Sequence, residues 1–249
     1  MLNQKIPTNY NMAEKETQFY EGKAKKLFTV KGHPDQVIQE FKDDATAFNA
    51  LKRGSWAHKG EVNCAMSSAL FQMIETRGIR THFIEQLTPV DMLVKRLEIV
   101  PLEVIVRNIA AGSFSKRYAV EEGREFKQPT FEFSYKDDAL GDPLINDSHA
   151  LAMDLATEDE IDHIRHTALK INDILKAFFR ERGIILVDFK LEFGRHKGEI
   201  LLGDEISPDT CRFWDAVTRK KLDKDRFRQD LGGVEEAYAE MLKRVTEPA

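Results

Sequence analysis

Three carboxylates and a lysine stand close together in residues 184 to 215, IILVDFKLEFGRHKGEILLGDEISPDTCRFWD: Asp188, Lys190, Glu192 and, further on, Asp204. Alternation from Ile184 to Phe193 predicts a strand with Ile185, Val187, Phe189, Leu191 and Phe193 on one side and Asp188, Lys190 and Glu192 on the other. A polar turn from Gly194 to Gly198 leads into a returning strand, Glu199 to Ser207, that carries Asp204 and Glu205. With Phe193 opposite Glu199, Asp204 shares the face of the other polar residues. Clustered carboxylates repel and resist desolvation, so a partly buried set needs cations. Magnesium takes one or two carboxylates and completes its shell with water and phosphate oxygens. A metal–phosphate site and a solvated polar face balanced by Lys190 both fit this spacing.

Two other stretches have the right chemistry for anions. Residues 17 to 31, TQFYEGKAKKLFTVK, read as strand, turn, strand, with Gly22 followed by Lys23, Lys25 and Lys26. Glycine lets the backbone approach a phosphate and lysines supply point charges. The stretch lacks P-loop spacing and the following helix, and a lysine-rich hairpin is usually just a solvated edge. In residues 104 to 118, VIVRNIAAGSFSKRY, Arg107 ends a strand and a helix starts near Ser113. Arginine beside a helix start suits an anion, while Ser113 also fits a simple N-cap.

The elements that must position these residues follow from periodicity and breakers. A helix is predicted over 60 to 77, with Val62, Met66, Ala69, Leu70, Met73 and Ile74 on one face and Gly78 closing it. Its methionines read as core filler and Cys64 as structural. Strands are expected at 36 to 42, 79 to 84, 91 to 99, 102 to 108 and 130 to 135, with breaks at Pro89 and Pro101. Asp43-Asp44 opens a loop through Phe48 and Asn49 to Lys52-Arg53-Gly54. The acidic loop 136 to 147 reads as solvated or as lining the mouth of a cleft. Thr157 to Glu160 is a capping box that opens a long helix ending at Gly183. His163 and His166 on that helix read as surface residues, and a last helix spans 233 to 245.

Composition sets the outer limits. The chain has 249 residues, 42% hydrophobic and 32% charged, enough for one large domain or two smaller ones. A formal net charge of −5 argues against broad nucleic-acid binding. No apolar run approaches the roughly 20 residues of a membrane span. The first dozen residues read as a tail with no apolar signal core, which makes cytoplasm the expected location. Cys64 and Cys211 are too few and too far apart for a disulfide framework or zinc site.

Taken together, the chain resembles the phosphoribosylaminoimidazole-succinocarboxamide synthase (SAICAR synthetase) family. The matching pieces are YEGKAKKLF (20 to 28), FKDDATAFNA (41 to 50), Lys59-Gly60 before a helix, and PLEVIVRNIAAGSFSKR (101 to 117). KDDALGDPLI (136 to 145), VDFKLEFG (187 to 194), GDEISPDTCRFWD (203 to 215) and LDKDRFRQDLGG (222 to 233) follow in the family's order. The resemblance implies an α+β fold in two lobes, related to protein-kinase and ATP-grasp architecture. A small antiparallel N-terminal lobe would cover residues 1 to 100 and bind nucleotide. A larger α+β lobe would cover 101 to 249 and bind substrate and metal.

It also implies an ATP-dependent ligase that joins a carboxylated aminoimidazole ribonucleotide to L-aspartate, a possible homodimer with no nucleic-acid or membrane partner. Glu192 and Asp204 would hold Mg2+. Lys23, Ala24 and Lys25 would bind the ATP phosphates, and the backbone from Glu98 to Val100 would lie near adenine as a kinase hinge does. Lys190 and Asp188 are the implied catalytic residues, Lys190 countering charge between ATP and the substrate carboxylate. Arg107, Ser113 and Arg212 would grip the ribonucleotide phosphate, and Asp188 and Asp209 its polar groups. Lys52, Arg53 and Lys59 have the right charge for aspartate. Many family members carry Asp-Gly at Asn49-Ala50, and asparagine cannot act as a base there. A kinase with a hydroxyl acceptor and a non-catalytic nucleotide binder remain the alternatives.

Overall fold

The computed structural model describes residues 13–47 and 51–248. The first half is a five-stranded antiparallel sheet in the order β1-β2-β3-β7-β6. Its strands are β1 (Lys15–Glu21), β2 (Lys25–Val30), β3 (His33–Phe41), β6 (Phe83–Gln86) and β7 (Asp91–Lys95). Between them lie a small hairpin, β4 (Asp44–Ala47) and β5 (Lys52–Ser55), and helix α1 (Lys59–Thr76). Of the segment expected to be a loop after Asp43, residues 44–47 and 52–55 are paired strands, while Phe48 and Asn49 lie outside the described residues, and the strand expected at 79 to 84 begins at Phe83.

The second half is built on a sheet in the order β10-β9-β8-β11-β12, with β13 also pairing with β11. These are β8 (Glu98–Ile109), β9 (Glu125–Tyr135), β10 (Leu144–Ile145), β11 (Ile184–His196), β12 (Glu199–Gly203) and β13 (Cys211–Asp215). The helices are α2 (Gly112–Tyr118), α3 (Asp147–Ala152), α4 (Glu158–Glu181), α5 (Asp225–Arg228) and α6 (Val234–Thr246). Helix α4 carries the predicted capping box and buries Ile161, Ile164, Ala168, Ile171, Leu175 and Phe179 in the main core with Phe189, Leu191 and Phe193 of β11. Each isoleucine, leucine or phenylalanine so removed from water contributes about 1.5–3 kcal/mol. Among the described residues no helix is long and apolar enough to cross a membrane.

Three local expectations are corrected. Pro101 does not break the chain: β8 runs through it, and the register against β11 shifts between Glu192–Glu103 and Gly194–Ile99. The shift removes the need for the N–H that proline lacks. Residue 100, the expected end of the first lobe, lies within β8. Alternation along β11 also breaks, because its register with β13 shifts between Leu186 and Asp188. Ile184 and Leu186 join the main core, while Ile185 and Val187 pack with Ile109, Ala111 and Trp214. A bulge inserts one residue and reverses the parity beyond it.

The third correction is the hairpin register. His196 pairs with Glu199 and Phe193 with Leu202, so the turn is Lys197-Gly198 alone. Both residues have positive φ, 51° and 82°, as a tight two-residue hairpin turn requires. This parity sends the position after Gly203 to the wrong face for Asp204. The chain restores it locally, because Asp204 itself adopts φ 59°.

Candidate active site

Two adjoining cavities lie along the cleft face of β8 and β11. The larger, about 630 Å³, is lined by the β1–β2 turn, the β7–β8 connection and the polar face of β11. The smaller, about 290 Å³, is lined by Arg107, Ser113, Asp188, Arg212 and Arg228 among others. Glu103, Lys190, Asp209 and Thr210 line both, so the two form one cleft with Lys190 at the junction.

The register of β8 against β11 creates this face. Asp188, Lys190 and Glu192 pair with Arg107, Ile105 and Glu103, so a cation or an acid faces across from Asp188 and Glu192. Lys190 Nζ lies 2.8 Å from both Glu103 Oε1 and Glu192 Oε1. Lys136 Nζ reaches the same Glu192 oxygen at 2.8 Å. Burial opposes charge on Glu192, but Lys190 and Lys136 outweigh it and hold the carboxyl well below its usual range. Burial likewise opposes charge on Lys190, and Glu192 with Glu103 keeps its pKa well above the usual value.

Asp204 enters from the other side of the larger cavity and pairs with Lys25, which also lies 2.8 Å from Glu205. Burial raises the Asp204 carboxyl, Lys25 opposes this, and the neighbouring Glu192 charge adds to it. Burial would neutralise Lys25, but Asp204 and Glu205 raise its pKa. Lys23 is more exposed and pairs with Asp138 at 2.6 Å across the cleft mouth. Lys23, Ala24 and Lys25 all line the larger cavity, as does Ile99. Glu98 instead turns outward to Arg195 at 3.2 Å, and Val100 lies in the core.

In the smaller cavity Asp188 accepts from Arg107 at 2.8 Å and from Arg212 at 3.1 and 2.9 Å. Ser113 Oγ accepts from Arg107 at 3.3 Å, while the N-cap of α2 is Ala111, so the capping role expected of Ser113 is corrected. Gly112, with φ 55°, lets α2 lie against Arg212, whose guanidinium a Cβ there would overlap. Asp225 accepts from Arg212 at 2.8 Å and from Arg228 at 2.6 Å. Asp209 is buried on Lys59 at 2.7 Å and accepts from Tyr238 at 2.6 Å. Lys52 pairs instead with Asp230 at 2.6 Å. Asn49 and Ala50 lie outside the described residues.

Sequence reasoning gave no role to Lys136, Arg228, His82 or Glu205, all of which line the cleft. Lys136 and Arg228 stand in quoted motifs, but no local spacing ties them to β11. Glu205 adjoins Asp204 and by strand alternation should point away.

The oxygen donor set suits a hard cation. A buried carboxylate, Glu192, and a half-buried one, Asp204, act on each other's charge and face one cavity beside lysines. Among the described residues no three His, Cys, Asp or Glu side chains cluster as metal ligands.

Comparisons with known proteins agree on one relationship. The family model described as SAICAR synthetase matches residues 18–245. A phosphoribosylaminoimidazole-succinocarboxamide synthase of Pelodictyon phaeoclathratiforme is 61% identical over 93% of this chain and 98% of that one. The enzyme of the same name from Clostridium acetobutylicum is 56% identical over 94% and 99%. The crystal structure of the Ehrlichia chaffeensis synthase superposes with a TM-score of 0.90 at 46% identity, covering 94% of this chain and 100% of that one. A SAICAR synthetase in complex with ADP gives a TM-score of 0.88 at 50% identity over 92% and 99%.

Proposed function

The chain belongs to the SAICAR synthetase family, and from that membership we infer that it is an ATP-dependent ligase of de novo purine biosynthesis. It joins 5-amino-1-(5-phosphoribosyl)imidazole-4-carboxylate to L-aspartate and yields the succinocarboxamide, ADP and phosphate. The observation that carries the reading is the divided cleft: lysines and carboxylates at one end, arginines at the other, and Lys190 between them.

The chemistry explains the division. A carboxylate does not accept an amine, because its leaving group would be oxide. Its oxygen first attacks the γ-phosphorus of ATP, ADP leaves, and an acyl phosphate results. The aspartate amine then attacks the acyl carbon, loses a proton, and expels phosphate. Phosphoryl transfer of this kind needs positioning and charge neutralisation more than covalent help.

Lys23 and Lys25 bind the ATP phosphates, and the Glu98 to Val100 backbone borders the adenine. Lys190 faces both the γ-phosphoryl group and the acceptor carboxylate. Arg107, Ser113 and Arg212 hold the ribonucleotide phosphate, with Asp188 and Asp209 on its polar groups and Asp188 orienting both arginines. Glu192 and Asp204 would hold magnesium, which when bound neutralises charge on the phosphate oxygens. The nucleotide lobe would cover residues 1 to 100 and the substrate lobe 101 to 249, with β8 crossing from one to the other. The reading extends to a cytoplasmic enzyme that forms a homodimer.

ADP release with Mg-ATP, the ribonucleotide and L-aspartate, each omitted in turn, tests it. Release that needs all three, with the succinocarboxamide seen by mass spectrometry, is expected. Release that ignores aspartate would instead favour a kinase, and binding without turnover a regulatory nucleotide binder.

A further inference from the structure

Glu205 lines the larger cavity and has no task in the mechanism above. It is 3% exposed, and its Oε1 lies 2.8 Å from Lys25 Nζ. Its Oε2 accepts from the buried Ser207 hydroxyl at 2.5 Å. Successive side chains of extended backbone point apart, yet Asp204 and Glu205 converge on one ammonium group. They do so because Asp204 adopts φ 59°, a strained conformation for a residue with a side chain. Gln39 donates to the Asp204 carbonyl at 3.2 Å and ties this bend to β3.

The two carboxylates are not equivalent. Asp204 shares its cavity with Glu192, and a cation there competes with Lys25 for the Asp204 oxygens. Glu205 is fixed by Ser207 and aimed at Lys25. We propose that Glu205 is a positioning residue that keeps Lys25 anchored beside the nucleotide phosphates when Asp204 turns to the cation. A lysine–glutamate pair does comparable work in protein kinases, where the glutamate comes from a separate helix. Here it is the next residue along from a carboxylate assigned to the cation. The inference rests on the site reading given under Proposed function.

Calorimetric titration of the full chain with a non-hydrolysable ATP analogue, in EDTA and in magnesium, tests it. In Glu205→Gln, Lys25 has only Asp204 and holds it against the cation. The gain in affinity from magnesium should then shrink about tenfold relative to the unaltered protein. In a Lys25→Met background, Glu205→Gln should change that gain no further. Ser207→Ala keeps the charge but frees the carboxylate, so it should shift the gain in the same direction by less, and it serves if Glu205→Gln fails to fold. An unchanged magnesium gain in folded variants overturns the proposal. So does a loss of affinity that is equal in EDTA and magnesium, since that is what a general packing role produces. Unaltered protein whose binding ignores magnesium would overturn the site reading itself, and the inference with it.

Discussion

Glu192 is ionised because two ammonium groups surround it, not because water does. Lys190 and Lys136 meet the same oxygen, so removing the carboxylate charge leaves two cations facing an empty partner. On the proposed reading Glu192 would hold the magnesium that neutralises phosphate charge, so Glu192→Gln should lower kcat by about 100-fold or more while the fold survives. Steady-state product formation beside a thermal melt checks this, and near-normal turnover would remove Glu192 from the mechanism. His82 behaves in the opposite way. Burial, with Lys25 and Lys95 nearby, pushes its imidazole down to about 3 from the usual 6.5, and its buried Nε2 has no partner among the described residues. The unfolded chain takes up that proton near 6.5 and the folded chain does not. The contribution to stability is therefore complete above the unfolded value and falls away as pH drops from 6.5 toward 3. Urea titrations at pH 7 and pH 5 should show His82→Gln losing about 1–2 kcal/mol less stability between them than the unaltered protein. Equal losses would mean that His82 is not held neutral.

At the scale of elements, glycines with positive φ do two different jobs. Gly198 turns the β11–β12 hairpin, and a Cβ there would meet nothing within 4 Å, so only its backbone angle matters. Gly112 has both a positive φ and the Arg212 guanidinium against it. Gly112→Ala must displace Arg212, which is bound to Asp188 and Asp225. Its KM for the ribonucleotide should rise about tenfold or more, as expected when an arginine proposed to grip the substrate phosphate is misplaced, with ATP affinity nearly unchanged. Gly198→Ala should cost about 1 kcal/mol of stability and leave both constants alone. A parallel loss in ribonucleotide and ATP affinity for Gly112→Ala would show damage to the whole cleft.

Across the whole molecule, the cleft depends on contacts between distant parts of the chain. The N-terminal sheet meets the second sheet where His82 N–H donates to the Leu202 carbonyl at 2.8 Å. Lys59 at the start of α1 is buried against Asp209, which Tyr238 of α6 also holds. Among the described residues, Lys59→Met leaves that carboxylate with only the more distant Lys224, 3.6 Å away, as a cationic partner. A loss of about 3 kcal/mol in chemical denaturation is expected from breaking one half of a buried pair. Lys59→Met with stability intact would mean that Lys224 suffices.

Much of this was legible in the sequence. The helical period and capping box of α4, the strand of β11 and the polar set Asp188, Lys190 and Glu192 are local patterns, and local patterns survive folding. The likeness of eight ordered motifs to one family gave the fold class and the reaction. What periodicity missed lies at its interruptions: the register shifts beside Pro101 and Val187, and the left-handed bend at Asp204. A bulge or a single positive φ reverses which face a side chain joins, and no alternation rule records it. Lys136 beside Glu192 and Glu205 beside Lys25 are likewise products of tertiary structure. Long-range pairing of strands brings these groups together, and it is there that burial turns ordinary charges into a site.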